Sequence, residues 1–472
     1  MTLGFAACDD YEEPNPQPQT NPQTSVLKTE DVAVASVLTD GEYSLEQLSN
    51  NGEAISVATI TVPEMPEGYA FEVLAEITTN DFQTIGEVKT TVEPTAEDPN
   101  VFAVTINPDD LQGVYYDKIS KSSKAREIAL RLILNTVAGK QVARVGGPDH
   151  YYGTYTMTVL PFPAGMVIEQ NYYLVGTACD WSVANAIKFT HSGKDPYDDP
   201  VFALYVETSA DWWWKIVPES TFAAGNWTDE DYSQFGVAEN GSNELSGMLV
   251  ARTAETGEPG SGQINVAGGY MLVINMEEST YNFLPATDQL YTPGNSNGWN
   301  QAASQILTTQ DHLFFRGFAF LNGEFKFSSQ PNWDGTNYGS TGVEGMLTND
   351  GGAGNLNAAE GLYWAVVDLP HLTYTLTQIN TIGVIGDATP GGWDASTALT
   401  PSENGLKWTG TVKFNGTGSY KFRANDAWDV NLGGNEFDLV YNGDNIATPG
   451  EGTYEIVLDL TQTPYTAILT KK

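Results

Sequence analysis

Cysteine is almost absent: Cys8 and Cys179 are the only two in 472 residues. Two thiols are too few for a disulfide framework or a thiolate metal site. The 4 histidines, His150, His191, His312 and His371, stand apart and read as incidental. Basic residues are scarce too, 21 against 60 acidic ones, a formal net charge of −39. A surface for nucleic acid or anionic lipid needs clustered Lys and Arg, so neither partner is expected. No apolar run reaches 18 residues, so no segment reads as a membrane span. There is no G-x-S-x-G, H-E-x-x-H, P-loop or helix-opening G-x-G-x-x-G. Sixty carboxylates make some pair at glycosidase separation inevitable, so acidity alone is no sign of hydrolysis. No catalytic residue, cofactor or metal is expected. Asp195–Asp199 and Thr228–Asp231 lack the ligand spacing of a calcium loop.

What remains is rich in turns and rings, with Gly 47, Pro 24, Tyr 23 and Trp 11. That composition suits several β domains, and the length suits about three or four. Cys8 follows the apolar stub Leu3-Gly-Phe-Ala-Ala7 and precedes Asp9-Asp-Tyr-Glu-Glu13. This resembles the end of a lipoprotein signal peptide, whose cysteine becomes the lipidated first residue; the basic n-region is missing. Residues 9–24 are acidic, then rich in Pro, Asn and Gln, and read as a tether. Residues 1–24 are thus a signal remnant and tether, with lipidation at Cys8. From 25 to 160, alternating runs such as Ile55–Val62 and Ala70–Ile77 suit a small immunoglobulin-like sandwich. Residues 124–134 fit a helix or a strand.

After Pro161-Phe-Pro163 the chain repeats. Strands ending in Gly lead through short loops to Trp181, Trp299 and Trp393. Each segment then reaches a strand with one lysine between apolar neighbours: Trp214-Lys215-Ile216, Phe325-Lys326-Phe327 and Tyr420-Lys421-Phe422. Trp333 and Trp428 follow the last two lysines by seven residues, in Trp-Asp-x(1–2)-Asn-x-Gly turns. A closing strand ends each segment near Tyr281, Tyr374 or Tyr465. Three ordered landmarks mark tandem homologous modules, 171–287, 288–380 and 381–472, each long enough to fold alone. The expected fold class is all-β: an immunoglobulin-like sandwich, then three tandem β-sandwiches.

Strand neighbours face opposite sides. The flanking apolar residues should fill the cores, leaving Lys215, Lys326 and Lys421 facing solvent, with Trp213 on the side of Lys215. The loop tryptophans could cap the sandwich instead, but Trp333 and Trp428 lie in polar turns that would enclose a core residue poorly. Aromatic platforms beside Lys and Asn suit a neutral polyol such as a sugar. One platform burying roughly 100 Å2 at ~25 cal/mol/Å2 contributes about 2–3 kcal/mol before ordering costs. Three tethered sites gain from effective concentration, on the order of 10²–10⁴-fold.

Together, the Cys8 segment, the sandwich and the tandem modules resemble the SusE/SusF family, and Tyr420–Asn431 is the most specific stretch. The resemblance implies non-catalytic outer-membrane lipoproteins, held by a lipid anchor only and facing the cell exterior. It implies binding of starch and maltooligosaccharides beside the other outer-membrane components of a starch-utilisation system. It also implies site residues: Trp299, Lys326, Trp333 and Asn337 in the second module, and Trp393, Lys421, Arg423, Trp428 and Asn431 in the third. The first module, with Trp181, Trp213, Lys215 and Trp227, departs from the pattern. Its Lys-to-Trp gap is 12, and Asp-x-Asn-x-Gly is replaced by Thr228–Tyr232. Only Lys421 is followed by an arginine two residues on, so the three sites should not be equivalent. Another glycan, or a protein scaffold using the same rings, is the alternative.

Overall fold

In a computed structural model of the chain, residues 25–163, 165, 167–227 and 232–472 are described. Cys8, the tether and Thr228–Asp231 lie outside them. The chain is all-β and divides into two compact units, the first ending at Ile168 and including Lys194–Asp199.

In the first unit, the strands run in the order Ala33–Ser36, Ile55–Thr61, Val101–Ile106, Gly86–Pro94, Ala70–Thr78, Arg126–Ala138, Tyr152–Leu160 and Glu42–Ser44. The strand Gly86–Pro94 joins two layers. Its first residues pair with Ala70–Thr78 and its last with Val101–Ile106. The segment that fitted helix or strand is the strand Arg126–Ala138. Ile128, Leu130, Leu132 and Leu134 are all fully buried, a period of two that only a strand can bury on one side. Asp195 and Asp198 are engaged by Lys124 at 3.1 Å and Arg126 at 2.8 Å, so these carboxylates serve as ion-pair partners.

The second unit holds the three repeats, each with the same pairing at its centre. Tyr172–Gly176 pairs with Trp212–Pro218, and Ile382–Gly386 with Ser419–Ala424. In the second repeat Gln289–Tyr291 meets Phe327–Ser328, and Gly294 bridges to Phe325. A second layer packs behind, built on Gly268–Asn275, Leu356–Asp368 or Gly452–Asp459. In the middle repeat Phe314–Phe325 also pairs with Ile306–Thr309, which joins both layers into one eight-stranded ladder. The residues flanking the lysines fill the cores, as alternation requires: Trp214, Ile216, Phe325, Phe327, Tyr420 and Phe422 are all buried.

The second and third repeats do not bury their cores separately. Phe318, Leu362 and Trp364 belong to the same cluster as Val384, Trp408 and Leu458. The Tyr465 hydroxyl accepts from the Phe318 N–H at 2.8 Å, and burial raises its pKa.

The strand-ending glycine of each repeat answers to close backbone approach. A Cβ would lie 2.1 Å from the Trp213 carbonyl oxygen at Gly176, 2.6 Å from that of Glu324 at Gly294, and 2.1 Å from that of Ser419 at Gly386. Gly392 also has positive φ, +57°, but faces open space. Gly386→Ala should therefore lower stability by about 3 kcal/mol through backbone displacement, against about 1 kcal/mol for Gly392→Ala. Urea denaturation of the two variants tests this, and equal losses would refute the close-approach explanation.

Candidate functional site

Each strand-ending glycine releases the chain into a loop that delivers a tryptophan beside a second one. The ring centroids are 5.7 Å apart at 21° for Trp181 and Trp227, 6.3 Å at 35° for Trp299 and Trp333, and 6.0 Å at 40° for Trp393 and Trp428. Trp333 and Trp428 are 47% and 46% exposed, well outside the core. The other four are half-buried.

The first tryptophan of each early pair is held in an unfavourable backbone state. Trp181 and Trp299 have φ of +59° and +62°, a region that costs a bulky residue about 1–2 kcal/mol. Their N–H groups donate back to the carbonyls of Gly176 and Gly294, both at 2.9 Å. The third loop puts Gly392 in this region instead, at the start of the strand Gly392–Ala398 in which Trp393 is the second residue.

The second tryptophan is tied to the first in two repeats. Trp227 Nε1 donates to the Trp181 carbonyl at 3.3 Å. Trp333 Nε1 donates to Gln301 Oε1 at 2.9 Å, while Gln301 Nε2 donates to the Trp299 carbonyl at 3.3 Å, in the amide orientation that satisfies both ends. A cation backs the second ring in the first and third repeats. Lys215 Nζ is 5.5 Å from the Trp227 centroid, and Arg423 Cζ is 5.1 Å from that of Trp428.

The lysines occupy the expected sheet face but differ in access. Lys215 is only 3% exposed, which corrects the expectation that it faces solvent. Trp227 lies over it, and its Nζ donates to Gln234 at 2.8 Å and Glu258 at 2.6 Å. That bond holds the Glu258 carboxyl below its usual range. Lys326 Nζ donates to the carbonyls of Ala353 and Gly354 at 2.7 and 3.3 Å. Lys421 Nζ donates to Asn431 Oδ1 at 2.8 Å.

The asparagines hold loops. Asn431 is buried and donates to the Trp428 carbonyl at 2.9 Å and to Asn442 Oδ1 at 2.6 Å, so its amide is fully engaged. Asn337 donates to the Trp333 and Gly335 carbonyls and accepts from Ser328. Arg423, also buried, donates to Ser396 at 3.0 and 3.2 Å. Trp213 is not brought into the first pair. It lies by Gly241, with its N–H on Thr177 at 2.9 Å.

Sequence reasoning missed Gln301, Glu258, Asn295, which accepts from Trp299 Nε1 at 3.0 Å, and Asn442. Gln301 stands two residues after Trp299, but Val183 and Ala395 hold that place in the other repeats, so reading the copies against one another concealed it. Among the described residues no group of three or more His, Cys, Asp or Glu could hold a metal ion, and no helix is long and apolar enough to cross a membrane.

Residues 167–285 match the family model described as "SusF, first starch specific CBM". The match falls on the repeat carrying Trp181 and Trp227, in agreement with the SusE/SusF resemblance of the motifs. Among solved structures, SusF from Bacteroides thetaiotaomicron is 17% identical, with 93% of this chain and 100% of that chain covered and a TM-score of 0.42. No curated protein matches the chain.

Burial lowers the Lys421 pKa from 10.5, and nearby Asp444 opposes the shift only in part. Because its folded pKa is the depressed one, the unfolded chain binds more protons between the folded value and 10.5, and stability from this group rises with pH across that window. An NMR titration of the Lys421 side chain should give a midpoint below 10.5. A midpoint at or above it would contradict the desolvated site.

Proposed function

We propose that this chain is a non-catalytic starch-binding protein of the cell surface, with modules at 171–287, 288–380 and 381–472 that retain α-glucan through paired tryptophans. The observation that carries the reading is the recurrence of one arrangement: three repeats, each with two indoles 5.7–6.3 Å apart, beside a lysine on the same sheet face. Inclined rings suit a curved glucan chain, because successive sugars can each lay an apolar face on one indole. The family match over the first repeat, whose description names a starch-specific module, supports the choice of glycan.

Under this reading Trp181, Trp227, Trp299, Trp333, Trp393 and Trp428 contact sugar, and Lys326 and Lys421 donate to its hydroxyls. Lys215 acts from beneath Trp227. Asn337, Asn431 and Arg423 position the rings, and Trp213 stands at the margin. The chain reaches the outer membrane through a lipid on Cys8, with the tether holding the modules outward beside the other components of a starch-utilisation system.

Retention on insoluble starch, with cellulose and xylan as controls, tests the proposal. Trp333→Ala and Trp428→Ala should each weaken retention about tenfold per site, by loss of roughly 1–2 kcal/mol of stacking. The double variant should keep mainly what the first module supplies. Retention on another glycan would change the substrate and keep the mechanism. Loss of all glycan binding in the unaltered chain would favour a protein-scaffold role.

A further inference from the structure

We infer that the cleft between the second and third repeats is an additional glycan subsite, distinct from the three tryptophan pairs, that takes a short stretch of neutral oligosaccharide. The choice of α-glucan as its occupant rests on the function proposed above. The cleft has a volume of about 390 Å3, within the range of small-ligand pockets. Arg316 and Trp364 of the second repeat and Asp438, Tyr441 and Tyr465 of the third line it.

Its chemistry fits a polyol. Tyr441 is 36% exposed and stacks on Trp364 with centroids 5.1 Å apart at 28°, which fixes the ring in place. Arg316 Cζ lies 6.0 Å from the Tyr441 centroid. Neither the Arg316 guanidinium nor the Asp438 carboxylate has a hydrogen-bond or ion-pair partner among the described residues. A half-buried guanidinium carries five donors that call for acceptors, and a carboxylate offers only acceptors. Vicinal hydroxyls satisfy both at once. An anionic ligand would meet Asp438 and a chain of net charge −39, so a neutral one is favoured.

The site is separate from the third tryptophan pair by strand alternation. Asn431 faces Lys421, its neighbour Leu432 is buried, and Tyr441 pairs with Leu432. Tyr441 therefore lies on the sheet face opposite Lys421. The walls are also set before any ligand arrives. Phe318 and Trp364 sit in the shared core, and Tyr465 is bonded to the Phe318 N–H. A preformed cleft avoids the cost of ordering side chains on binding.

The test uses the full chain carrying Trp227→Ala, Trp333→Ala and Trp428→Ala, with maltoheptaose as probe and saturation-transfer NMR as readout. Weak residual binding should persist, and adding Arg316→Gln should reduce it about tenfold, as expected for bonds from a charged donor. Tyr441→Ala, checked for folding by its urea midpoint, should do the same. Residual binding unchanged by both substitutions would overturn the subsite. So would no residual binding when the unaltered chain binds well, and the starch reading would then stand. If the unaltered chain fails to bind maltoheptaose, both fall.

Discussion

The close approach of two strands at one glycine sets the geometry of every repeat. With no Cβ at Gly176, Gly294 or Gly386, the neighbouring backbone lies where a side chain would be. The loop that follows starts from a fixed point, and in the first two repeats its tryptophan N–H returns to that glycine's carbonyl. The left-handed backbone of Trp181 and Trp299 follows from this return. Strain of this kind persists only where the surroundings over-determine it, and it is common at binding sites. The third repeat reaches a similar ring pair by moving the left-handed position to Gly392.

The same rings are secured by different means. In the first repeat a direct bond joins the two tryptophans, and a buried lysine held by Glu258 lies beneath. In the second, Gln301 bridges them. In the third, Arg423 and Asn431 support Trp428 from below. The rings of the first repeat are near-parallel and those of the others inclined, so the three pairs present different surfaces. The non-equivalence of the three ring pairs thus follows from the packing around each.

Much of this was legible in the sequence because period two is a strong signal. Phe325 and Phe327, or Tyr420 and Phe422, could be assigned to the core by alternation alone, and they are buried. The loop tryptophans were legible because three copies repeat them at matching places. Trp227 shows where this stops: its spacing from Lys215 departs from the other copies, yet the helix Glu219–Ala224 takes up the extra residues and the ring still meets Trp181. Alternation alone makes Lys215 solvent-facing, because it gives the face and says nothing of what lies over it. The covering groups, Trp227 and Glu258, are 12 and 43 residues away in the chain. The shared core at the second junction was equally hidden, since Phe318 and Tyr465 meet across 147 residues.

Under the proposed function, the paired indoles are the surfaces that meet the ligand. The most direct measurement is a 19F NMR titration of the chain with all 11 tryptophans replaced by 5-fluorotryptophan, using maltoheptaose. Shifts are expected at Trp299, Trp333, Trp393 and Trp428, and at Trp181 and Trp227, while the core residues Trp214 and Trp408 stay unchanged. Saturable binding that leaves the six paired signals unmoved would contradict it.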